Sequence, residues 1–248
     1  MLRSALCSFI VIGDWGRRGQ FFQKNVAQLI SELPKDAVIS VGDNFYPEGI
    51  VNEMDPHQYE SWQDIYQPDV PWYISLGNHD HRGDASAQTK IDLAWWNMPD
   101  YVYEFELCGH SFVVLDSTAM TDEKWELAAS LLSKDNPKKW LVAHHPIYSA
   151  GYHNNVPKEY FSKVKELYKK YNVQAILSGH DHTLQYIEHD DIRQVISGTG
   201  SSTYYTQRPQ EGLEFMASEP GIFHIHIDDD NVIMLARGLD GVLFSKIF

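Results

Sequence analysis

The chain has 248 residues, and 34 acidic against 20 basic side chains give it a formal charge of −14. A chain this acidic repels the phosphate backbone of nucleic acids and anionic membrane surfaces, so neither is expected as a partner. No apolar run approaches the roughly 20 residues that a membrane-spanning helix needs. The hydrophobic fraction of 43% is typical of a packed globular protein, and we expect one domain over residues 1–248.

The start of the chain carries few signals. The eight residues before Phe9 are too few and too polar for a signal peptide. Cys7 and Cys108 are the only cysteines, too few for a disulfide framework, and their spacing predicts neither a thiolate metal site nor a redox motif. The cysteines therefore leave the cellular compartment open.

The first two thirds of the chain alternate between short apolar runs and helical patterns. The runs are rich in β-branched and aromatic residues and cover residues 9–12, 37–41, 72–76, 112–115, 140–143 and 175–177. The helical patterns cover residues 20–33, 122–133 and 157–171. Short buried strands separated by helices predict βαβ units with parallel pairing.

After Ser178 the pattern changes to apolar runs separated by turn residues. These runs cover residues 184–188, 192–196, 222–227, 232–236 and 242–247. They predict antiparallel hairpins. Together the two patterns predict an α/β fold, a four-layer α/β/β/α sandwich in which two mixed β-sheets are flanked by helices.

Polar clusters follow five of the predicted strands directly. In chain order they are Gly13-Asp14-Trp15-Gly16, Gly42-Asp43-Asn44-Phe45-Tyr46, Gly77-Asn78-His79-Asp80, His144-His145-Pro146 and Gly179-His180-Asp181-His182. Taken singly, a Gly-Asp or Gly-Asn pair after a strand usually only makes a turn. Because ligands bind beyond the carboxyl ends of parallel strands, five clusters that all carry Asp, Asn or His favour one shared metal site.

These motifs resemble those of the calcineurin-like metallophosphoesterases, and more narrowly those of the purple, tartrate-resistant type of acid phosphatase. The more specific part of the resemblance is Tyr46, three residues after Asp43, because the broader family lacks a tyrosine ligand at that position. The resemblance covers nearly the whole chain. It implies hydrolysis of small phosphomonoesters by attack of a hydroxide held between two metal ions.

The resemblance also implies a division of the metal ligands. Asp14, Tyr46 and His182 would hold one metal ion, Asn78, His144 and His180 would hold the other, and Asp43 would bridge the two. Of the adjacent His144 and His145, only one can occupy the ligand position before the proline. The family pattern of His, any residue, Pro favours His144, and it leaves His145 to line the pocket or to pack.

Charge counting supports two different metal ions. Asp14, the shared Asp43 and a Tyr46 phenolate bring three negative charges to the first site, which suits iron(III). A phenol with an ordinary pKa of about 10 loses its proton near neutral pH only beside a strong Lewis acid. The second site, with one shared carboxylate and mostly neutral ligands, suits iron(II), zinc or manganese.

The protein side chains must protonate the leaving alkoxide, since the metal ions supply the attacking hydroxide and not this proton. His79 is the first candidate, and the next residue, Asp80, could orient its ring. His153 matches a second pocket histidine of the family. Either histidine could be the general acid or could contact a phosphate oxygen.

Two other functions compete with an acid phosphatase. One is a phosphodiesterase of the same broad family with two divalent metal ions, and Tyr46 argues against it. The other is a metal-binding or phosphate-binding protein without turnover, and His79 and Asp80 argue against it. The family resemblance also implies an exported protein, periplasmic or extracellular, and we expect a monomer.

Overall fold

A computed structural model describes residues 7–228 and 231–248. The prediction that the residues before Phe9 form no signal peptide falls mostly outside the described residues. The described helices are α1 (Gln23–Glu32), α2 (Asp64–Tyr66), α3 (Ala85–Gln88), α4 (Asp122–Leu132) and α5 (Lys158–Lys170), with a π-helical turn at Tyr59–Gln63 and a 3-10 turn at Asp80–Arg82. The described strands are β1 (Cys7–Ile12), β2 (Ala37–Ser40), β3 (Trp72–Ile74), β4 (Trp96–Asn97), β5 (Tyr103–Leu107), β6 (His110–Leu115), β7 (Lys139–Ala143), β8 (Val173–Ser178), β9 (Leu184–His189), β10 (Ile192–Ser197), β11 (Leu213–Ala217), β12 (Gly221–Ile227), β13 (Val232–Gly238) and β14 (Gly241–Ile247).

These strands form two mixed sheets of seven strands each. The first sheet has the order β14-β13-β12-β1-β2-β3-β4, and the second has the order β11-β9-β10-β8-β7-β6-β5. Pairing is parallel from β1 to β4 and among β6, β7, β8 and β10, and it is antiparallel elsewhere. The predicted fold class, two mixed sheets flanked by helices, is confirmed.

The sheets stack on a core that is rich in aromatic rings. Phe9 of β1 meets Phe112 and Trp140 of the other sheet edge-to-face, with ring centroids 5.3 and 6.1 Å apart. All three side chains are fully buried. Each such ring contributes on the order of 1.5–3 kcal/mol through burial, so the seam between the sheets is a rigid base for the loops at its edge.

Helices cover the outer faces. Trp125 and Leu132 of α4 and Val164 of α5 pack on the outer face of the second sheet in a core of their own. Helix α4 begins where the Thr121 side chain accepts a hydrogen bond from the Lys124 amide at 3.3 Å, as an N-cap should. Helix α1 packs against β12 of the first sheet. No helix in residues 7–228 or 231–248 is long and apolar enough to cross a lipid bilayer.

The structure pairs the two cysteines, to which the sequence assigned no role. Cys7 and Cys108 form a disulfide across 101 residues of chain, with Cα atoms 5.7 Å apart. The bond joins β1 of the first sheet to the turn between β5 and β6 of the second. Strand spacing along the sequence holds no trace of this pairing, because it depends on how the two sheets stack.

Candidate metal centre

The five polar clusters meet at one edge of the molecule. Each follows the carboxyl end of a parallel strand, namely β1, β2 and β3 of the first sheet and β7 and β8 of the second. Asp14, Asp43 and His144, which come from three different strands, each offer a ligand atom within 4.8 Å of the other two, and all three are buried. The stacking of the sheets therefore builds one site from five separate loops.

Sharp turns bring the ligand-type side chains over this edge. Asp14, Asp43 and His180 have φ angles of 61°, 55° and 68°, in the left-handed region that few residues other than glycine adopt. Aspartate tolerates this conformation better than most residues do. Left-handed backbone at non-glycine residues clusters at functional sites, where the surrounding structure compensates for its cost.

One set of donor atoms surrounds the phenol of Tyr46. Its Oη lies 2.8 Å from Asp43 Oδ2, 2.9 Å from Asp14 Oδ1 and 3.3 Å from His182 Nε2. His182 Nε2 is also 3.4 Å from Asp14 Oδ1. Three oxygens and one imidazole nitrogen therefore converge on a space of the size that one cation fills.

A second set lies on the other side of Asp43. His144 Nε2 is 3.2 Å from Asn78 Oδ1 and 3.4 Å from Asp43 Oδ2. The ring of His180 lies beside that of His144, with centroids 5.0 Å apart. Asp43 Oδ2 thus faces both donor sets, which is the position of a bridging ligand.

Outer partners orient the two histidines that face Asp43 and Asp14. His144 Nδ1 donates to the carbonyl of Val41 at 2.9 Å, which leaves Nε2 to face the site. His182 Nδ1 lies 2.7 Å from Ser202 Oγ, and the Nε2 of this ring therefore also faces the site. Metal-ligating histidines almost always have such a partner on the second ring nitrogen.

Backbone groups hold the two carboxylates in place. The amide of His79 donates to Asp43 Oδ1 at 2.8 Å, and the amide of His180 donates to Asp14 Oδ2 at 2.9 Å. Each aspartate therefore keeps its other oxygen for the site. Gly77 is required for the approach of Asp43, because a Cβ at this position would overlap Asp43 Oδ1 and the Asp43 amide.

The electrostatics of the site favour a bound cation. Asp14 and Asp43 are almost completely buried, and their ion-pair partners among the described residues are histidines. Burial opposes ionisation of Asp43, yet His144 and His79 hold its pKa well below the usual range. Burial, together with the charges of Asp14 and Asp43, raises the pKa of Tyr46 well above 10, so its phenol needs a strong cation to ionise. The donor set therefore fits metal ions.

His79 lies at the mouth of the site. Its Nδ1 donates to the carbonyl of Pro47 at 2.6 Å, and its Nε2 is 4.0 Å from Asp43 Oδ2. The side chain is 21% exposed, so a substrate can reach it. It packs against the ring of Tyr46, with centroids 4.3 Å apart.

The expectation that Asp80 orients the ring of His79 is wrong, because Pro47 is the ring's partner. Asp80 is fully buried and accepts hydrogen bonds from the amides of Asn44 and Gly77 at 3.0 and 2.8 Å, and from Gln88 Nε2 at 2.8 Å. Through the amides of Asn44 and Gly77, this carboxylate instead fixes the loops that carry Asp43 and Asn78.

His153 and His145 lie on the far side of His180. Their rings are 4.5 and 4.4 Å from that of His180 by centroid. His145 Nδ1 is 2.8 Å from Ser117 Oγ, so this ring nitrogen is held by a neighbouring side chain. The amide of His153 donates to Asp181 Oδ1 at 2.8 Å.

Comparison with known proteins decides the family. Residues 7–184 match the family model described as calcineurin-like phosphoesterase. "Purple acid phosphatase 17" of Arabidopsis thaliana is 35% identical over 236 residues, which cover 79% of this chain and 69% of that protein. The chain belongs to the purple acid phosphatases. "Tartrate-resistant acid phosphatase type 5" of Homo sapiens is 30% identical over 249 residues, covering 82% of this chain and 75% of that protein.

Solved structures show the same fold at lower identity. The structure described as "GAP50 the anchor in the inner membrane complex of Plasmodium" has a TM-score of 0.86 at 22% identity and covers 98% of this chain and 88% of that chain. The purple acid phosphatase PPD1 from yellow lupin seeds has a TM-score of 0.75 at 18% identity and covers 99% of this chain and 54% of that chain. The predicted resemblance, and with it the class of metal-dependent phosphoric monoester hydrolase, is confirmed at the level of the family.

Sequence patterns missed several residues that shape this purple acid phosphatase site. Asp181, between two candidate ligands, is buried and holds the loop of His153 through that residue's amide and through the hydroxyl of Ser149. Ser202 orients His182, and Arg17 lies over the ring of Tyr46. The Gly-His-Asp-His motif already contained Asp181, but Arg17 and Ser202 carried no recognisable signal.

Proposed function

We propose that this chain is an acid phosphatase that hydrolyses small phosphomonoesters at a centre of two metal ions. The position of Tyr46 carries the proposal, because its Oη lies within 2.9 Å of carboxylate oxygens of both Asp14 and Asp43. A phenolic oxygen at that place is a third anionic ligand for a cation held by the two carboxylates. A phosphodiesterase with two divalent ions has no use for this ligand.

The set around Tyr46 is proposed to hold iron(III). Its ligands would be Asp14, Tyr46, His182 and the bridging Asp43. Burial, together with the carboxylates of Asp14 and Asp43, raises the pKa of Tyr46, so only a highly charged cation would displace its proton. Three anionic donors would then balance the three positive charges of the ion.

The second set is proposed to hold a divalent ion. Its ligands would be Asn78, His144, His180 and the same Asp43. One carboxylate and neutral nitrogen and amide donors suit iron(II), zinc or manganese. The burial of His144 supports this role, because a fully buried imidazole with Nδ1 tied to Val41 has only its Nε2 to offer.

Two cations held in this way supply Lewis-acid activation of water and of the phosphoryl oxygens. The protein's own task is to bring a proton to the leaving oxygen. His79 Nε2 faces the site from its mouth while Nδ1 is tied to Pro47, so the ring is held in one orientation. His153, beside His180, is the alternative donor or a contact to a phosphate oxygen.

The proposal extends to the setting of the enzyme. The disulfide between Cys7 and Cys108 supports an exported protein, because such bonds persist in oxidising compartments. The formal charge of −14 supports small substrates over polyanions. We also propose that residues 1–248 form a single domain and that the protein acts as a monomer.

Metal analysis combined with assays of phenyl phosphate and diphenyl phosphate tests the function. The wild-type protein should bind two metal ions per chain and hydrolyse the monoester far faster than the diester. Asp43→Asn should lose both metal ions and the activity, while Asp69→Asn, at a largely exposed carboxylate, should lose neither. A faster diester reaction would favour the phosphodiesterase, and full metal binding without turnover would favour a non-catalytic protein.

A further inference from the structure

A fully buried aspartate, Asp116, directly follows strand β6 of the second sheet. Strand β6 runs parallel to β7, whose carboxyl end carries His144, so Asp116 lies at the edge of the molecule that holds the candidate metal centre. Neither of the two proposed ligand sets includes it. Because a buried carboxylate needs partners to offset its loss of hydration, the partners of Asp116 indicate what it does.

Two side chains from different elements hold Asp116. His81 Nε2 donates to its Oδ1 at 2.7 Å, and Lys124 Nζ of α4 donates to its Oδ2 at 2.7 Å. Lys124 Nζ also donates to the carbonyl of Ala119 at 2.6 Å and lies 4.6 Å from the centroid of the Tyr101 ring. Burial opposes ionisation of Asp116, yet His81 and Lys124 hold its pKa below the usual range. Both oxygens of an ionised carboxylate are therefore fixed.

His81 belongs to the turn that carries Asn78 and His79. This turn comes after β3 of the first sheet, whereas Asp116 comes after β6 of the second. The contact of His81 with Asp116 therefore joins the two sheets at the edge where the metal ligands meet. Asp80, the residue before His81, ties the same turn to loops of its own sheet. Two neighbouring residues thus fasten one turn to both sheets.

The turn over residues 77–83 reaches the second sheet at two points among the hydrogen bonds of the described residues. Asn78 Oδ1 lies 3.2 Å from His144 Nε2, and His81 donates to Asp116. The first contact joins two proposed ligands of the divalent ion, and bonds to that ion would replace it. The contact with Asp116 is the one that holds Asn78 and His144 at a common distance whether or not the ion is bound.

The loop of Asp14 is joined to the second sheet by contacts of another kind. The amide of Gly13 donates to the carbonyl of Ser197 at 2.7 Å, and the amide of Gly200 donates to the carbonyl of Gly13 at 3.1 Å. Ser197 ends β10, and Gly200 lies just beyond it. These contacts do not involve Asp116. The donor set proposed for iron(III) should therefore keep its shape when Asp116 is changed.

We propose that Asp116 is a positioning residue for the divalent ion: through His81 it holds the turn of Asn78 against the second sheet, and so it sets the affinity of that ion but not of iron(III). The inference rests on the proposed function. Changes to the outer partners of metal ligands typically cost roughly 10- to 100-fold in metal affinity. Asp116 acts on a turn and not on a ligand atom, so we expect the lower end, about 10-fold.

The test measures the dissociation constant of zinc in iron(III)-loaded protein, by competition with a chelator, for wild type, Asp116→Asn and His81→Ala. Both variants should raise this constant about 10-fold, while the visible charge-transfer band from Tyr46 to iron(III) keeps its position and intensity. His81→Gln should recover part of the affinity, because its amide can still donate to Asp116. His81→Ala changes a side chain that is 22% exposed, so it keeps the inference testable if Asp116→Asn does not fold.

Glu214→Gln is the matched control. Glu214 of β11 accepts from Lys246 of β14 at 2.7 Å, so this ion pair also joins the two sheets. It does so between two edge strands, neither of which carries a proposed metal ligand. Glu214→Gln should leave both the zinc affinity and the iron band unchanged.

An unchanged zinc affinity in folded Asp116→Asn or His81→Ala, or an equal loss in Glu214→Gln, would overturn the inference while leaving the phosphatase function intact. Loss of the iron band together with the zinc affinity would also overturn it, because both donor sets would then depend on Asp116. A wild-type protein that binds no second metal ion beside iron would instead overturn the proposed function and this inference with it.

Discussion

The guanidinium carbon of Arg17 lies 3.5 Å from the centroid of the Tyr46 ring, and Arg17 Nε donates to Ser201 Oγ at 3.0 Å. A fixed positive charge therefore covers the face of the ring whose oxygen points at Asp14 and Asp43. Such a contact stabilises the pair by about 0.5–2 kcal/mol and favours the phenolate over the phenol. Arg17 lowers the pKa of Tyr46 against the stronger effects of burial and the two carboxylates, which raise it.

The first prediction concerns the colour of the iron-loaded protein. A phenolate bound to iron(III) absorbs visible light by charge transfer, so oxidised protein should be coloured. Tyr46→Phe removes the donor but leaves Asp14, Asp43 and His182, so the band should vanish even where iron stays bound. Absorption spectra with parallel iron analysis check this. A band that survives in Tyr46→Phe, or an active iron-loaded wild type without one, would count against the proposed ligand set.

The second prediction concerns Arg17. Arg17→Gln removes a positive charge that lies 3.5 Å from the centroid of the Tyr46 ring, which raises the energy of the phenolate electrons. The charge-transfer band should therefore move to longer wavelength. Arg18→Gln is the control, since Arg18 is exposed and pairs with Glu60 at 2.7 Å. Equal band positions in wild type and Arg17→Gln would show that Arg17 does not act on the ligand.

The third prediction separates His79 from His153 as general acid. His79→Ala should keep both metal ions and lower the maximal rate by about 10² to 10⁴ fold, because a positioned acid typically contributes that much. The loss should be greater for ethyl phosphate, whose leaving group is a poor one, than for an activated nitrophenyl phosphate. Rate measurements on both substrates in His79→Ala and His153→Ala check this. If hydrolysis of both substrates slows by the same factor in His79→Ala, a group other than His79 protonates the leaving oxygen.

The fourth prediction concerns the disulfide. Its closure of a long loop restricts the unfolded chain, so the Cys7→Ser, Cys108→Ser double variant should lose roughly 2–5 kcal/mol in free energy of unfolding. Urea unfolding at equal metal content measures the loss. The activity of the folded variant should stay close to that of wild type, because the bond joins the sheets away from the ligand-bearing strand ends. Identical unfolding midpoints would show that sheet packing alone sets the stability.

The fifth prediction concerns stability in acid. Trp140 Nε1 donates to Nδ1 of buried His110 at 2.8 Å, so this nitrogen must be unprotonated. Burial and the charge of Lys138 lower the pKa of His110 from 6.5 to about 4. Between pH 6.5 and about 4, His110 takes up a proton in the unfolded chain but not in the folded protein. Stability is therefore complete above pH 6.5 and falls as the pH drops toward 4, by roughly 3 kcal/mol at most.

His110→Asn tests this assignment, because its amide oxygen can accept from Trp140 but does not titrate. Urea unfolding of the variant at pH 7 and at pH 4.5 should show a smaller loss of stability than wild type shows. Equal losses in the two proteins would mean that other buried groups, such as His57 and His224, account for the acid sensitivity.

The sequence alone determined the layers of the fold and named the residues proposed for the candidate centre. Buried strands appear as short apolar runs, and their carboxyl ends carry the polar clusters, so a local pattern was enough to name Asp14, Asp43 and His180. The strands β5 and β11 escaped notice. Their sequences, Tyr103–Leu107 and Leu213–Ala217, place glutamates between apolar residues and lie at the edges of the second sheet, where only one neighbour supports them.

Only the tertiary structure decided which atoms touch. The pairing of Cys7 with Cys108, the partner of the His79 ring and the position of Arg17 over Tyr46 all depend on how two sheets stack and how their loops turn. Local sequence specifies periodicity and turns because these arise from neighbouring residues. Contacts between residues far apart in the chain arise from the packing of the whole molecule, and no local pattern records them.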